Sequence, residues 1–164
     1  MGLIIKDKLP SFIVGYPTVS DKYDVLPAVL DGTSPVKFGD LVINSTTNGY
    51  YIKPTTITAA TNIAGFVLAT NVKLAEDWPG KTVQVNPGEA FNLLFKGFMA
   101  VALDSTVTIA EIVPGAQVAV TATGGVVEAK TSGTFNVPNT YFSGQYENVG
   151  TTDSPKYIAE IYVR

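Results

Sequence analysis

Phe91-Asn92-Leu93-Leu94-Phe95-Lys96-Gly97-Phe98-Met99-Ala100-Val101-Ala102-Leu103 is the stretch whose reading decides the fold. Every odd position in it is apolar or glycine, while the even positions mix polar and apolar residues. A period of two belongs to a strand with one buried face, and a helix would not sort these residues that way. Pro87-Gly88 just ahead of it marks a tight turn, because proline presets one turn φ and glycine accepts the next. The passage Val83–Leu103 therefore reads as a β-turn followed by the central strand of the domain, with Gly97 at a bulge or bend. Glu89 is expected to order the turn by accepting backbone hydrogen bonds.

Working outward, the same alternation and the same punctuation recur. Val36–Ile43 reads as a strand, Asn48-Gly49 as a hairpin turn and Tyr50–Lys53 as its return, because Asn and Gly both tolerate positive φ. Thr55–Asn62 is a polar, β-branched linker, and Ile63–Thr70 is an interior strand, apolar on both faces. Val72–Trp78 is the one stretch that suits a helical turn, stopped by Pro79-Gly80. Lys81–Val85, Val107–Val113, Ala116–Thr121 and Val126–Lys130 read as short strands. Residues 131–156, rich in Ser, Thr, Gly, Asn and Pro, read as a long loop, and Tyr157–Arg164 as a closing strand. Many short strands between turn signals predict an all-β fold, a small β-barrel or β-sandwich of short antiparallel strands.

Residues 1–35 differ. Pro10, Pro17, Pro27 and Pro35 break every pattern, yet the apolar content is too high for a disordered tail. Two readings stand side by side: an extended N-terminal arm that packs on another surface, or a first strand and loop folded onto the same domain. On the arm reading the chain divides into an arm, 1–35, and a single β-barrel or sandwich domain, 36–164. The partner-binding candidates are then Leu9, Phe12, Ile13, Val14, Tyr16, Tyr23, Val25 and Leu26.

Composition narrows the function. The chain has 164 residues, 46% hydrophobic but only 15% charged, with a net charge of −3. So low a charge fraction points to a surface partly covered by other molecules. Arg164 is the only arginine and the lysines are scattered, which excludes the clustered cations that phosphate backbones and anionic membrane surfaces require. No apolar run is long enough to span a membrane. The start of the chain is not a secretion signal, its short apolar run being followed at once by charges. The expected setting is a cytoplasm, or delivery by a carrier other than secretion.

With no histidine and no cysteine, nucleophile–histidine catalysis, thiolate metal sites and disulfides are all excluded. No cofactor motif and no Asp-rich calcium loop is present. Glu76-Asp77, the only adjacent acids, read as a solvated turn. Asn44-Ser45-Thr46 matches a glycosylation sequon and, without a secretion signal, is read as a turn. Tyr141, Phe142 and Tyr146 are left as a candidate loop site for a sugar or a protein, against the plainer reading that they pin the loop to its own domain.

Several segments together resemble the head cement, or capsid decoration, proteins of tailed bacteriophages. They are Thr33–Val42, Ile63–Asn71, Pro87–Phe91, Lys96–Val101, Pro114–Val118 and Ile158–Val163, which cover most of the chain from about residue 30 onward. The resemblance implies a small β-rich protein without catalysis or cofactors. It implies a virion protein of the outer capsid surface, assembled in the host cytoplasm, that bridges neighbouring major capsid protein subunits as a homodimer or homotrimer. The alternative is a carbohydrate-binding or adhesive β-domain of a phage tail, fibre or surface protein.

Overall fold

The computed structural model describes residues 13–18, 23–69, 84–129 and 133–164. Within them the strands are β1 (Asp24–Leu30), β2 (Val36–Lys37), β3 (Leu41–Asn44), β4 (Tyr50–Ile52), β5 (Ile63–Leu68), β6 (Gln84–Val85), β7 (Ala90–Ala102), β8 (Gln117–Val120), β9 (Val127–Ala129), β10 (Phe135–Asn148) and β11 (Tyr157–Val163). The fold is all-β, as the alternation predicts. Nine strands form one sheet in the order β1-β4-β3-β5-β7-β11-β10-β8-β9, and β7 is its middle member. Its turn is held as expected: the Asn86 N–H donates to the Glu89 carboxylate at 2.7 Å, and the Glu89 N–H donates to the Asn86 carbonyl at 3.0 Å.

β1 also pairs antiparallel with β7, from Asp24↔Lys96 to Val29↔Ala90, so β1-β4-β3-β5-β7 closes into a five-stranded barrel. Its interior is filled by Ala28, Leu30, Val42, Val67, Phe91 and Leu93, with Val36, Phe38 and Val85 in the same cluster. The C-terminal half of β7 leaves the barrel and starts a second sheet with β11, β10, β8 and β9. A parallel bridge from Leu103 to Val127 brings β9 back to the end of β7. The larger core lies between the two parts. Leu41, Ile43, Ile63, Phe66, Leu68 and Leu94 come from the outer wall of the barrel, and Met99, Val101, Val118, Val120, Phe142 and Ile161 from the second sheet.

This arrangement corrects the strict alternation in β7. Leu93 and Leu94 are both buried, one on the barrel interior and one on the larger core, because here the strand separates two cores. The register against β1 then slips between Val25↔Leu94 and Asp24↔Lys96, and the extra residue, Phe95, is 64% exposed. A bulge turns one residue out of the ladder, which a period-two reading does not detect. Gly97, with φ 124°, sits where β7 passes from barrel to second sheet, the expected bend.

Three further expectations meet the structure differently, and a fourth is not reached by it. Val36–Ile43 is two strands, split where the Asp40 carboxylate accepts the Lys37 N–H at 2.9 Å. Val107–Val113 is not a strand but carries a 3-10 turn, Ile109–Glu111, fixed by Thr108 and Glu111 capping one another. Residues 131–156 are not a loop: most of them form β10, paired with both β8 and β11. The helical turn expected at Val72–Trp78 lies outside the described residues, as does most of Lys81–Val85.

Of the segment 1–35, residues 24–30 form a stave of the barrel. Residues 13–18 are tied to β7 as well: the Gly15 N–H donates to Ala100 O (2.8 Å), the Ala100 N–H to Tyr16 O (3.1 Å) and the Thr18 N–H to Phe98 O (3.2 Å). The Ala69 N–H donates to Gly15 O at 2.7 Å, holding the same segment to the end of β5. Residues 1–12 and 19–22 lie outside the described residues.

Candidate interaction surface

Leu9 and Phe12 fall outside the described residues. Ile13 is 57% exposed at the start of the bound segment, and Val14 is half-buried against Gly39. Tyr16 is half-buried, and burial pushes its hydroxyl above the ordinary tyrosine value. Tyr23, Val25 and Leu26 are exposed. Val25 and Leu26 face opposite sides of β1, each at the edge of a different core, where β1 runs beyond the buried part of the barrel.

Tyr141, Phe142 and Tyr146 are strand residues of β10 and not loop residues. Phe142 is wholly buried in the larger core. Tyr141 stacks on Tyr162 of β11 at 5.5 Å between centroids, and Tyr162 lies 5.6 Å from Phe98 of β7. These three rings run across three adjacent strands on the outer face of the second sheet. Tyr146 meets Tyr157 edge-on at 6.0 Å. The faces of Tyr141 and Tyr162 are therefore largely taken up by one another and by Arg164, whose guanidinium lies 4.8 Å from the Tyr141 centroid and 5.3 Å from that of Tyr162.

Phe95 and Arg164 are the surface residues that sequence reasoning did not single out. They stand at one cleft, of about 200 Å³, that opens where β5 and β11 diverge from β7. One wall is Ile63–Phe66 of β5; the other is Val137–Thr140 of β10 with Val163 and Arg164. The second wall turns at Asn139, whose φ of 52° suits asparagine, where β10 shifts register against β8. Asn139 O accepts the Arg164 N–H at 3.0 Å. A larger cavity, about 380 Å³, lies beside Val14, Leu103 and Val126; the charged pair at its wall, Lys53 and Asp40, is 3.6 Å apart and satisfies itself.

A second exposed apolar surface lies at the other end of the second sheet. Tyr146, Val113 and Val149 are 40%, 51% and 47% exposed there, and Gly144 packs closely on Pro114 between them. Nearby, burial and then the carboxylates of Asp104 and Glu111 hold the Glu128 carboxyl above the ordinary carboxylate range. Among the described residues no group of acidic side chains is placed to hold a metal ion.

The described residues thus form an all-β framework with exposed apolar side chains. The chain belongs to the phage cement family: the family model described as structural cement protein (E217 gp24/Pam3 gp6) matches residues 5–163. No curated protein matches it. Membership implies a structural, non-enzymatic role, association with the phage capsid and a place in the virion.

Proposed function

We propose that the protein is cement on the outer surface of the capsid, where it bridges and stabilises neighbouring major capsid protein subunits as a homodimer or homotrimer. The observation that supports bridging is that exposed apolar side chains occur in two separate places, at Phe95 where β7 leaves the barrel and at Val113, Tyr146 and Val149 toward the far end of the second sheet. Tyr146 pairs with Ala159, and Ala159 with Val101. Phe95 therefore lies six residues along β7 from the Tyr146 end, about 20 Å at the rise of a strand. Phe95 on β7 and Tyr146 on β10, joined through β11, thus present apolar area at two separate places. A specific contact of about 1,000 Å² or more at each would resist separation of the subunits beneath. On this reading Leu9, Phe12 and Ile13 of the N-terminal segment add apolar side chains for the capsid contact.

The test is sedimentation of the protein with heads that lack it. Residues 13–18 are bonded to β7 and the end of β5, and residues 24–30 are a stave of the barrel, so a truncation that keeps the fold must stop before Ile13. A chain lacking residues 1–12 is expected to fold with a normal melting transition and to bind heads weakly or not at all. Unchanged binding would remove the N-terminal segment from the mechanism.

For the alternative of a carbohydrate-binding domain, Tyr146 is the one ring of the three candidates left exposed. Sugars stack on open ring faces, and here Tyr141 and Tyr162 turn theirs toward one another while Phe142 is buried.

A further inference from the structure

The turn between β3 and β4 carries an inference that does not depend on the cement reading. Asn48-Gly49 is the only Asn-Gly pair in the chain, and both residues are exposed. The Tyr50 N–H donates to Thr47 O at 3.2 Å and closes a four-residue turn around the pair. Among the described residues only Asn139 and glycines have positive φ, so φ is negative at Asn48 and positive, 81°, at Gly49. That is a type II turn, not the type I′ turn that two positive angles would make. A turn closed from its first residue to its fourth leaves the N–H of its third unused. Here that N–H belongs to Gly49, and neither it nor the Asn48 side chain has a hydrogen-bonding partner among the described residues. A Cβ at Gly49 would meet nothing within 4 Å, so the surroundings of this nitrogen are uncrowded.

Two nearby sites of related chemistry are closed. Asn44, at the end of β3, precedes Ser45, whose N–H donates to Tyr50 O at 2.9 Å. Asp31-Gly32 is the only Asp-Gly pair. The Gly32 N–H donates to Asp31 Oδ1 at 2.8 Å, and the Ser45 hydroxyl donates to Asp31 Oδ2 at 2.7 Å. The Ser45 bond and then the Gly32 bond hold the Asp31 carboxyl below the ordinary carboxylate value. It therefore stays an anion, and an amide nitrogen does not displace oxygen from a carboxylate anion.

We propose that Asn48 is a site of spontaneous modification, where the side-chain amide becomes an acid through a cyclic imide formed with the Gly49 nitrogen. Solvent base removes the Gly49 amide proton. The nitrogen attacks Asn48 Cγ; the N–Cγ bond forms, the Cγ–Nδ2 bond breaks, and ammonia leaves with a proton taken from water. Water then opens the imide. Cleavage at Cγ restores the main chain and leaves aspartate, while cleavage at the Asn48 carbonyl carbon leaves isoaspartate, whose main chain runs through Cβ and Cγ. Either product adds a negative charge to the net −3. Isoaspartate also lengthens the chain inside the turn that the Tyr50 N–H closes, beside the pairing of β4 with β1 at Val29↔Tyr50.

The test is incubation of the full-length protein at neutral and mildly alkaline pH, then digestion and fragment-resolved mass spectrometry. Each position is referred to its own rate in urea-unfolded protein, which removes the intrinsic effect of the following residue. On that scale the amide-to-acid mass change at position 48 should be within several-fold of the unfolded rate, and the change at position 44 should be slowed far more. Isoaspartate is read independently, by methylation with an isoaspartyl methyltransferase, and should map to position 48 and not to position 31. Gly49→Ala, for which the turn has room, should slow the reaction several-fold by shielding the nitrogen. Folded protein that keeps Asn48 intact while the unfolded chain loses it would overturn the assignment, as would slowing at position 48 equal to that at position 44. A rate unchanged in Gly49→Ala would show direct hydrolysis by water and overturn the imide route.

Discussion

Gly15 and Gly88 have nearly the same backbone conformation, φ 84° and 86°, in very different surroundings. A side chain in this left-handed region costs about 1–2 kcal/mol. At Gly88 a Cβ would meet nothing within 4 Å, so Gly88→Ala should lose about that much and no more. At Gly15 a Cβ would lie 2.4 Å from the Phe38 Cβ and 2.7 Å from the Phe38 carbonyl carbon, neither of which can swing aside. Relief requires the main chain at Gly15 itself to move away from β7 and from the end of β5. That breaks the 2.8 Å bond to Ala100 O and the 2.7 Å bond from the Ala69 N–H, each about 1 kcal/mol net. Disturbed packing around Phe38 adds about 1 kcal/mol or more. Gly15→Ala should therefore cost about 3 kcal/mol beyond Gly88→Ala. For a chain of this size that difference is about 6–12 °C in melting temperature. Paired thermal and urea denaturation of the two variants, followed by circular dichroism, reads it directly. Equal losses would show that the contact of Gly15 with Phe38 does not hold the segment, and the account of 13–18 as a clamp would be wrong.

Phe142→Ala should lose about 3–5 kcal/mol, since the ring is fully buried in the larger core; a urea midpoint within error of wild type would contradict that burial. Glu128→Gln should stabilise the protein at neutral pH. Burial and the neighbouring Asp104 and Glu111 raise the folded-state carboxyl, so its contribution is favourable below the unfolded value of about 4.3 and is lost as pH rises through the folded one. The gain in melting temperature should shrink as pH falls toward about 4, and a gain independent of pH would point to packing instead.

The parts of the fold that could be read in the sequence are those written in local chemistry. Asn48-Gly49 and Pro87-Gly88 marked turns because few other pairs accept those angles, and Met99 and Val101 marked a buried face. What could not be read depends on partners distant in sequence. Phe95 looks like a core residue by parity, and only its pairing with β1 shows the extra residue that turns it outward. Residues 135–148 have loop composition, yet β8 and β11 supply their ladder on either side, and context outweighs propensity most easily in strands. Val107–Val113 was rich in β-branched residues, but Thr108 and Glu111, three apart, were the legible sign of a capped turn. At the cleft, Arg164 was visible as the only arginine, one residue past an alternating strand. Its partner ring Tyr141 sat in what read as a loop, so nothing in the sequence placed the two together.

β7 explains why the two apolar surfaces keep a fixed spacing. Along one side it is bonded first to β1 and then to residues 15–18; along the other, first to β5 and then to β11. Its partners change at Gly97, but the strand itself continues from barrel to second sheet. A pull between the Phe95 end and the Tyr146 end therefore passes from β7 to β10 across the β7–β11 and β11–β10 ladders and loads them in shear, so that many hydrogen bonds must yield together. The packing between barrel and second sheet, though it holds the larger cluster of buried apolar side chains, is not what sets the distance. This separates stability from reach. Thinning the core at Phe142 should make the protein easier to unfold while leaving the span between its surfaces unchanged in every folded molecule. A cement needs both properties, and here they reside in different parts of the same fold.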